Sequence, residues 1–407
     1  MKKVFKLKWI LLVCVLVVGF AGYFVFTGAD SKTPVAHAGG KVYEGTMHLS
    51  SMGGFMVLAD LKIDPLAERP IHITGDLKRL FIKEGPHDIT IAKKYYANHG
   101  PIIDHEKGHA YWAAYFVDDR DPAKKGVRYG KYDIKTGKVL FDGLLPLEPR
   151  NTAPIQYCAV GQAKDKVLLV MMGFETFIDI IDKDTMKHER RVFLDDIPDF
   201  KAKKYLWTHG INSPDMKEFA LVTSLTDEGG KFPRGEETRQ RIFILDMKSL
   251  LEGKVKVLRD GTITADPKKS ALFRLRYTPD GKYILLSNRD RSNVLDAKTL
   301  KEVALKIIPE VGWENHEFVA TPDGKYGILT QRVPIDNLPG QEPKKVIDGW
   351  LELVDMTKLA EGKLTTIGKP TPICSVCHLG AEAKAVAPWK DKLVPAVTCG
   401  FDMVWKK

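Results

Sequence analysis

A short apolar strand that ends in aspartate and runs into a Lys/Thr-rich turn recurs along this chain. It reads YGKYDIKTGK at Asp133, IDIIDKDTMK at Asp182, IFILDMKSL at Asp246, NVLDAKTLK at Asp296 and LELVDMTKL at Asp355, with a looser copy, LADLKIDPL, at Asp64. Aspartate suits the position, because its carboxylate can accept from backbone N–H groups just downstream and so close the turn. From Asp133 to Asp355 the intervals are 49, 64, 50 and 59 residues. Self-similarity at that period is the mark of an array of identical supersecondary units. Little of the intervening sequence has helical spacing, and much of it alternates over short runs bounded by turns, so the chain reads as β throughout.

A second repeat interleaves with the first. INSPDMKEFALVTS, RYTPDGKYILLSN and VATPDGKYGILTQ are hairpins built on a Pro-Asp turn. IIDHEKGHAYWAAYF, VGQAKDKVLLVMM and APWKDKLVPAVTCGF read as degenerate copies, and SSMGGFMVLAD as an N-terminal one. Seven copies fill residues 42–407, which predicts an all-β fold, a β-propeller of seven four-stranded blades. The last copy runs out of chain near Trp405, so a strand over Val42 to Leu49 is expected to complete its blade and lock the ring. The alternation of S/T-P-D-G-K-Y hairpins with Asp-closed turns resembles the YVTN-type β-propeller family, which is similar to the propeller of d-type-haem nitrite reductases. The resemblance covers nearly all of residues 42–407 and implies the fold. It implies little about function, because propellers serve many chemistries.

The two ends carry different information. Trp9 to Phe26 is uncharged and apolar, long enough at about 1.5 Å per residue to cross a bilayer. Lys2, Lys3, Lys6 and Lys8 precede it, which orients the rest of the chain away from the cytoplasm. Residues 1–29 are therefore expected to be a membrane anchor or signal segment. A single retained transmembrane helix is favoured over cleavage at Ala36-His37-Ala38, and 30–41 would be a linker. The expected location is the cytoplasmic membrane, single-pass, with the body in the periplasm or another extracytoplasmic space. Without those four lysines the net charge of +10 falls to about +6, and no basic run follows, so nucleic acid is not an expected partner.

Near the C-terminus stands TPICSVCHLG. Cys374, Cys377 and His378 spell C-x-x-C-H, the attachment signature of a c-type haem. Two thiols add to the two vinyl groups of the porphyrin, and the adjacent histidine reaches the iron as proximal ligand. A zinc knuckle would want two further ligands at short spacing, and none follows. One covalent haem c is expected.

Aligning the hairpins puts Asn98-His99-Gly100, Thr208-His209-Gly210 and Asn315-His316-Glu317 just before their turns. In the last copy the corresponding stretch is Cys377-His378-Leu379. Strands preceding such a hairpin line the channel of a propeller, so these histidines are expected to meet at one axial cavity. Arg274 or Arg276 takes the matching place in RLRYTPDG. His209, then His316, then His99 are the candidate distal ligands of the haem iron, with Met403 as a weaker one. Cys158 and Cys399 fall in apolar copies and are expected to be core thiols.

The expected function is respiratory electron transfer by a membrane-anchored mono-haem cytochrome, since two imidazoles on iron leave no open coordination position. The redox partner would be another cytochrome or a membrane quinol-oxidising complex. Two alternatives stay open. One is a propeller oxidoreductase whose channel histidines bind a second cofactor or substrate. The other is a haem-bearing interaction subunit of a membrane respiratory complex.

Overall fold

Alternating apolar residues and tight turns fold the chain into six antiparallel sheets of four strands each. The structure is a computed structural model. It describes residues 40–407 except 52–55, 81–97, 151–155, 174, 202–204, 226–239, 267–268, 309–313, 333–348 and 374–397. Blade 1 is composite: Thr398–Trp405 is its innermost strand, followed outward by Tyr43–Ser51, Met56–Ile63 and Ile71–Leu80. The innermost strands of blades 2 to 6 are Ile102–Asp104, Tyr157–Gln162, Tyr205–Asn212, Leu272–Tyr277 and Glu314–Ala320. From each of these the chain steps outward through three more strands in sequence order. Innermost strands pack on those of the neighbouring blades all the way round, and blade 6 meets blade 1, so the ring closes within one compact unit, Lys41–Lys407.

The expected count of seven blades is corrected to six. SSMGGFMVLAD and APWKDKLVPAVTCGF were counted as separate copies, yet they supply the two ends of one blade. Tyr43–Ser51 lies antiparallel to Thr398–Trp405, with Gly45 opposite Trp405, Met47 opposite Met403 and Leu49 opposite Phe401. The expected closing strand is therefore present. Its Tyr43, Met47 and Leu49 are buried with Phe401, Met403 and Ile328 in the core between blades 1 and 6. The single N-terminal transmembrane helix is likewise not found among the described residues. Among the described residues the helices are short, such as Met247–Leu251, and none is long and apolar enough to cross a membrane. Residues 9–26, on which that expectation rested, lie outside the described residues.

The aspartate turns join the third and fourth strand of every blade, once each. The Asp296 carboxylate accepts from the Lys298 and Thr299 amides at 3.1 and 2.8 Å and from the Thr299 hydroxyl at 2.8 Å. Asp133 with Thr136, Asp182 with Thr185 and Asp246 with Ser249 repeat the arrangement, while Asp355 takes Thr357 and Asp64 takes only the Leu66 amide. Replacing Asp296 with alanine orphans these donors at a water-accessible turn. The expected cost is about 1 kcal/mol, measured as a shift in urea midpoint without a change in slope.

Candidate functional site

The innermost strands do not run straight into the axis. In blades 3 to 6 the pairing of the innermost strand with its neighbour shifts register near the start of the former, between Tyr157 and Ala159, Leu206 and His209, Leu272 and Arg274, and Asn315 and Glu317. Blade 1 does the same where Leu49 pairs Phe401 but Ser51 pairs Thr398. A bulge leaves an extra residue unpaired and re-aims its side chain. Cys158, Phe273 and His316 are the extra residues in blades 3, 5 and 6. In blade 4 the irregularity takes in Trp207, whose φ of 63° is uncommon for a bulky side chain.

These residues gather in one buried cluster. His99 Nδ1 lies 2.7 Å from Cys158 Sγ, and His209 Nε2 reaches the same sulfur at 2.9 Å. The rings of His99 and His316 stand nearly perpendicular, with centroids 5.4 Å apart. His99 stacks on Tyr115 at 4.2 Å and His316 on Phe273 at 5.1 Å. Ligand atoms of His99, His316 and Cys399 all fall within 4.8 Å of one another. Arg332 donates from Nη1 to Cys399 Sγ at 3.3 Å and from Nε to Glu314 at 3.0 Å. Beside the cluster a small cavity is lined by Gly100, His209, Arg274, Arg276 and Glu317, among others.

Two glycines allow this density. The Gly400 amide donates to the His99 carbonyl at 2.6 Å, and a Cβ on Gly400 would collide with that same carbonyl oxygen. A Cβ on Gly100 would lie 2.9 Å from the Arg274 guanidinium. Blades 1 and 2 thus touch backbone to backbone beside the histidines.

Burial sets the charge state of the cluster. It pushes His99, His209 and His316 well below the usual imidazole range, and the neighbouring Arg274 and Arg332 push in the same direction. All three rings are therefore neutral near pH 7, the form that binds metal. Burial likewise pushes the Cys158 thiol up to about 12, so it stays protonated. Glu317 is raised by burial, against the pull of Arg276 and Arg274.

Of the four histidines expected at one axial cavity, His99, His209 and His316 come together, and Arg274 joins them. Cys374, Cys377 and His378 lie outside the described residues. The register assumed for the last copy changes, however. The innermost strand of blade 1 begins at Thr398, so Cys399-Gly400 takes the place assigned to His378-Leu379. Met403 is buried in the core between blades 1 and 6. Cys158 and Cys399 are buried free thiols as expected, but their neighbours are the polar groups of the axial cluster. A signal for Cys399 was in the chain: Asn98-His99-Gly100, Thr208-His209-Gly210 and Thr398-Cys399-Gly400 share one pattern, with sulfur replacing imidazole in the third. Arg332, Glu314 and Glu317 carried no such mark.

No family model and no curated protein matches this chain. Solved structures similar to it include hydrazine synthase of Kuenenia stuttgartiensis, at 15% identity over 80% of this chain and 81% of that one, with a TM-score of 0.41. The periplasmic gluconolactonase of Pseudomonas aeruginosa is 10% identical over 81% and 83%, with a TM-score of 0.48. A putative 6-phosphogluconolactonase from Bacteroides uniformis is 14% identical over 89% and 99%, with a TM-score of 0.45.

Proposed function

We propose that this protein is an exported electron carrier, a six-bladed propeller bearing one covalent haem c. Cys374 and Cys377 would hold the porphyrin, and His378 would be the proximal iron ligand. The observation that carries the reading is the C-x-x-C-H motif itself, read with its place in the chain. Its segment leaves the outermost strand of blade 6 at Ile373 and rejoins the ring at Thr398, one residue before the axial cluster. The point at which it rejoins, Thr398, adjoins Cys399 of the cluster that contains the buried imidazoles. His209, which also lines the small cavity, is the imidazole assigned as sixth ligand. Held by His378 and His209, a haem would supply one-electron transfer, and the partner would be another redox protein outside the cytoplasm.

The pyridine haemochrome spectrum, with iron counted per chain, tests this. A c-type band with one iron per chain is expected, and it should vanish in the Cys374→Ala/Cys377→Ala variant while the ring stays folded by circular dichroism. Wild-type protein matured in a host that attaches haem, yet lacking the band, would sink the reading. Low-spin EPR lines lost in His209→Ala would support bis-imidazole ligation, whereas high-spin iron that binds cyanide would favour the oxidoreductase alternative.

A further inference from the structure

We propose that the axis of the ring holds a second metal, a single thiophilic transition-metal ion ligated by His99, His316 and Cys399. The proposal goes beyond the haem and does not depend on it. Its three donors come from blades 2, 6 and 1, far apart in sequence, and all three are buried. Metal–nitrogen and metal–sulfur bonds of about 2.1 and 2.3 Å at tetrahedral angles would set the ligand atoms roughly 3.3–3.7 Å apart. The observed set, within 4.8 Å, needs side-chain shifts of only about 1 Å to close on an ion.

Hydrogen bonding points the same way. Neither ring nitrogen of His316 has a hydrogen-bond partner, and neither does His99 Nε2, although both side chains are buried. Buried polar atoms are rarely left so, because each orphan costs about 1–3 kcal/mol. An ion would take one nitrogen from each ring. The other nitrogen of His99 is already engaged by Cys158 Sγ, the kind of outer partner that fixes the tautomer of a ligating histidine. Phe273 fixes the plane of His316. The Arg332 guanidinium donates to Cys399 Sγ and orients it, while Glu314 balances the arginine charge. Glu317, whose Oε2 has no hydrogen-bond partner, adds negative charge nearby to offset Arg274.

The donor set selects the ion. Two imidazoles and one thiolate suit copper or zinc and not magnesium or calcium, and a trigonal His2Cys set is that of copper electron-transfer sites. Cys158 is not among the three converging donors, and its sulfur instead meets His99 Nδ1 and His209 Nε2. The ion would engage His99 and His316, which leaves His209 for the haem.

Full-length protein, stripped by chelator and reloaded with copper or zinc in turn, tests the assignment. Elemental analysis should find one ion per chain beyond the haem iron. X-ray absorption at the copper or zinc edge should find one sulfur at about 2.3 Å with nitrogen neighbours at about 2.0–2.1 Å. Cys399→Ser and His316→Ala should each weaken binding by at least about tenfold, and the sulfur neighbour should be lost in Cys399→Ser but kept in Cys158→Ser. The edge spectrum of wild-type protein decides the matter even if a variant fails to fold. Absence of a sulfur neighbour there, or sulfur retained in Cys399→Ser, would overturn the proposal. Reloading with copper alone or zinc alone to full occupancy identifies the ion that the site prefers. A haemochrome band without the extra metal removes this site and leaves the electron-carrier reading standing; extra metal without the band does the reverse.

Discussion

Acidification from pH 6.5 to pH 4 is expected to remove about 3 kcal/mol of stability through His48 alone. His48 lies on the closing strand Tyr43–Ser51, fully buried, with Nδ1 2.9 Å from the Tyr132 hydroxyl of blade 2 and its ring stacked on that tyrosine. Burial lowers its pKa from 6.5 to about 4, and His105 adds to the effect. Asp402 on the innermost strand and Asp60 on the next strand outward pull it upward without prevailing. An unfolded chain binds a proton on this ring below pH 6.5 and the folded one does not until about pH 4. Stability is therefore complete above pH 6.5 and drains away between the two values, at about 1.4 kcal/mol per pH unit. Urea midpoints measured from pH 7.5 to 4 should show this slope. In His48→Gln it should shrink by the His48 share, and that difference separates His48 from the other buried imidazoles. Equal slopes in the two proteins would show that His48 does not titrate between these limits.

The second large effect is expected at Glu314. Its carboxylate meets Arg332 at 3.0 Å and Arg289 at 2.9 Å. Arg332 is 0% exposed, so its guanidinium depends on this carboxylate for charge compensation, with Phe273 and Cys399 as its other described neighbours. Glu314→Leu strands that cation in the interior, and breaking a buried pair in this way costs about 3–5 kcal/mol. Removing both charges in Glu314→Leu/Arg332→Met should recover most of the loss, because two apolar side chains then fill the space without desolvation. Thermal or urea unfolding of the two variants reads this directly. A double variant no more stable than the single one would mean that the pair contributes through shape rather than charge.

How much of this was legible beforehand depended on whether a feature was local. Asp133, Asp182, Asp246 and Asp296 each solve a turn with groups two or three residues away, so the chain states the solution openly. That repeat also had the right count, because its turn occurs once per blade. The hairpin repeat overcounted because one blade is assembled from strands about 350 residues apart, Tyr43–Ser51 and Thr398–Trp405, and pairing across such a distance leaves no local trace. The histidines of the axis were legible as short motifs. The thiols were misread, since an apolar strand normally buries its cysteines in apolar surroundings and only the bulges turn these two toward charge. Arg332 and Glu314 pair across adjacent strands of blade 6, and nothing in the flanking residues distinguishes them from surface charges.

The composite blade has a consequence in time. Tyr43–Ser51 finds its inner partner, Thr398–Trp405, only roughly 350 residues later. At about 5–20 residues per second, synthesis alone keeps the first strand waiting roughly 20–70 s for the last. For that interval five blades can be complete while the edge of Tyr43–Ser51 stays unpaired, open to any other strand that reaches it first. The period of greatest exposure to misassembly is thus set by how fast the chain is made, and it ends only when Trp405 has emerged.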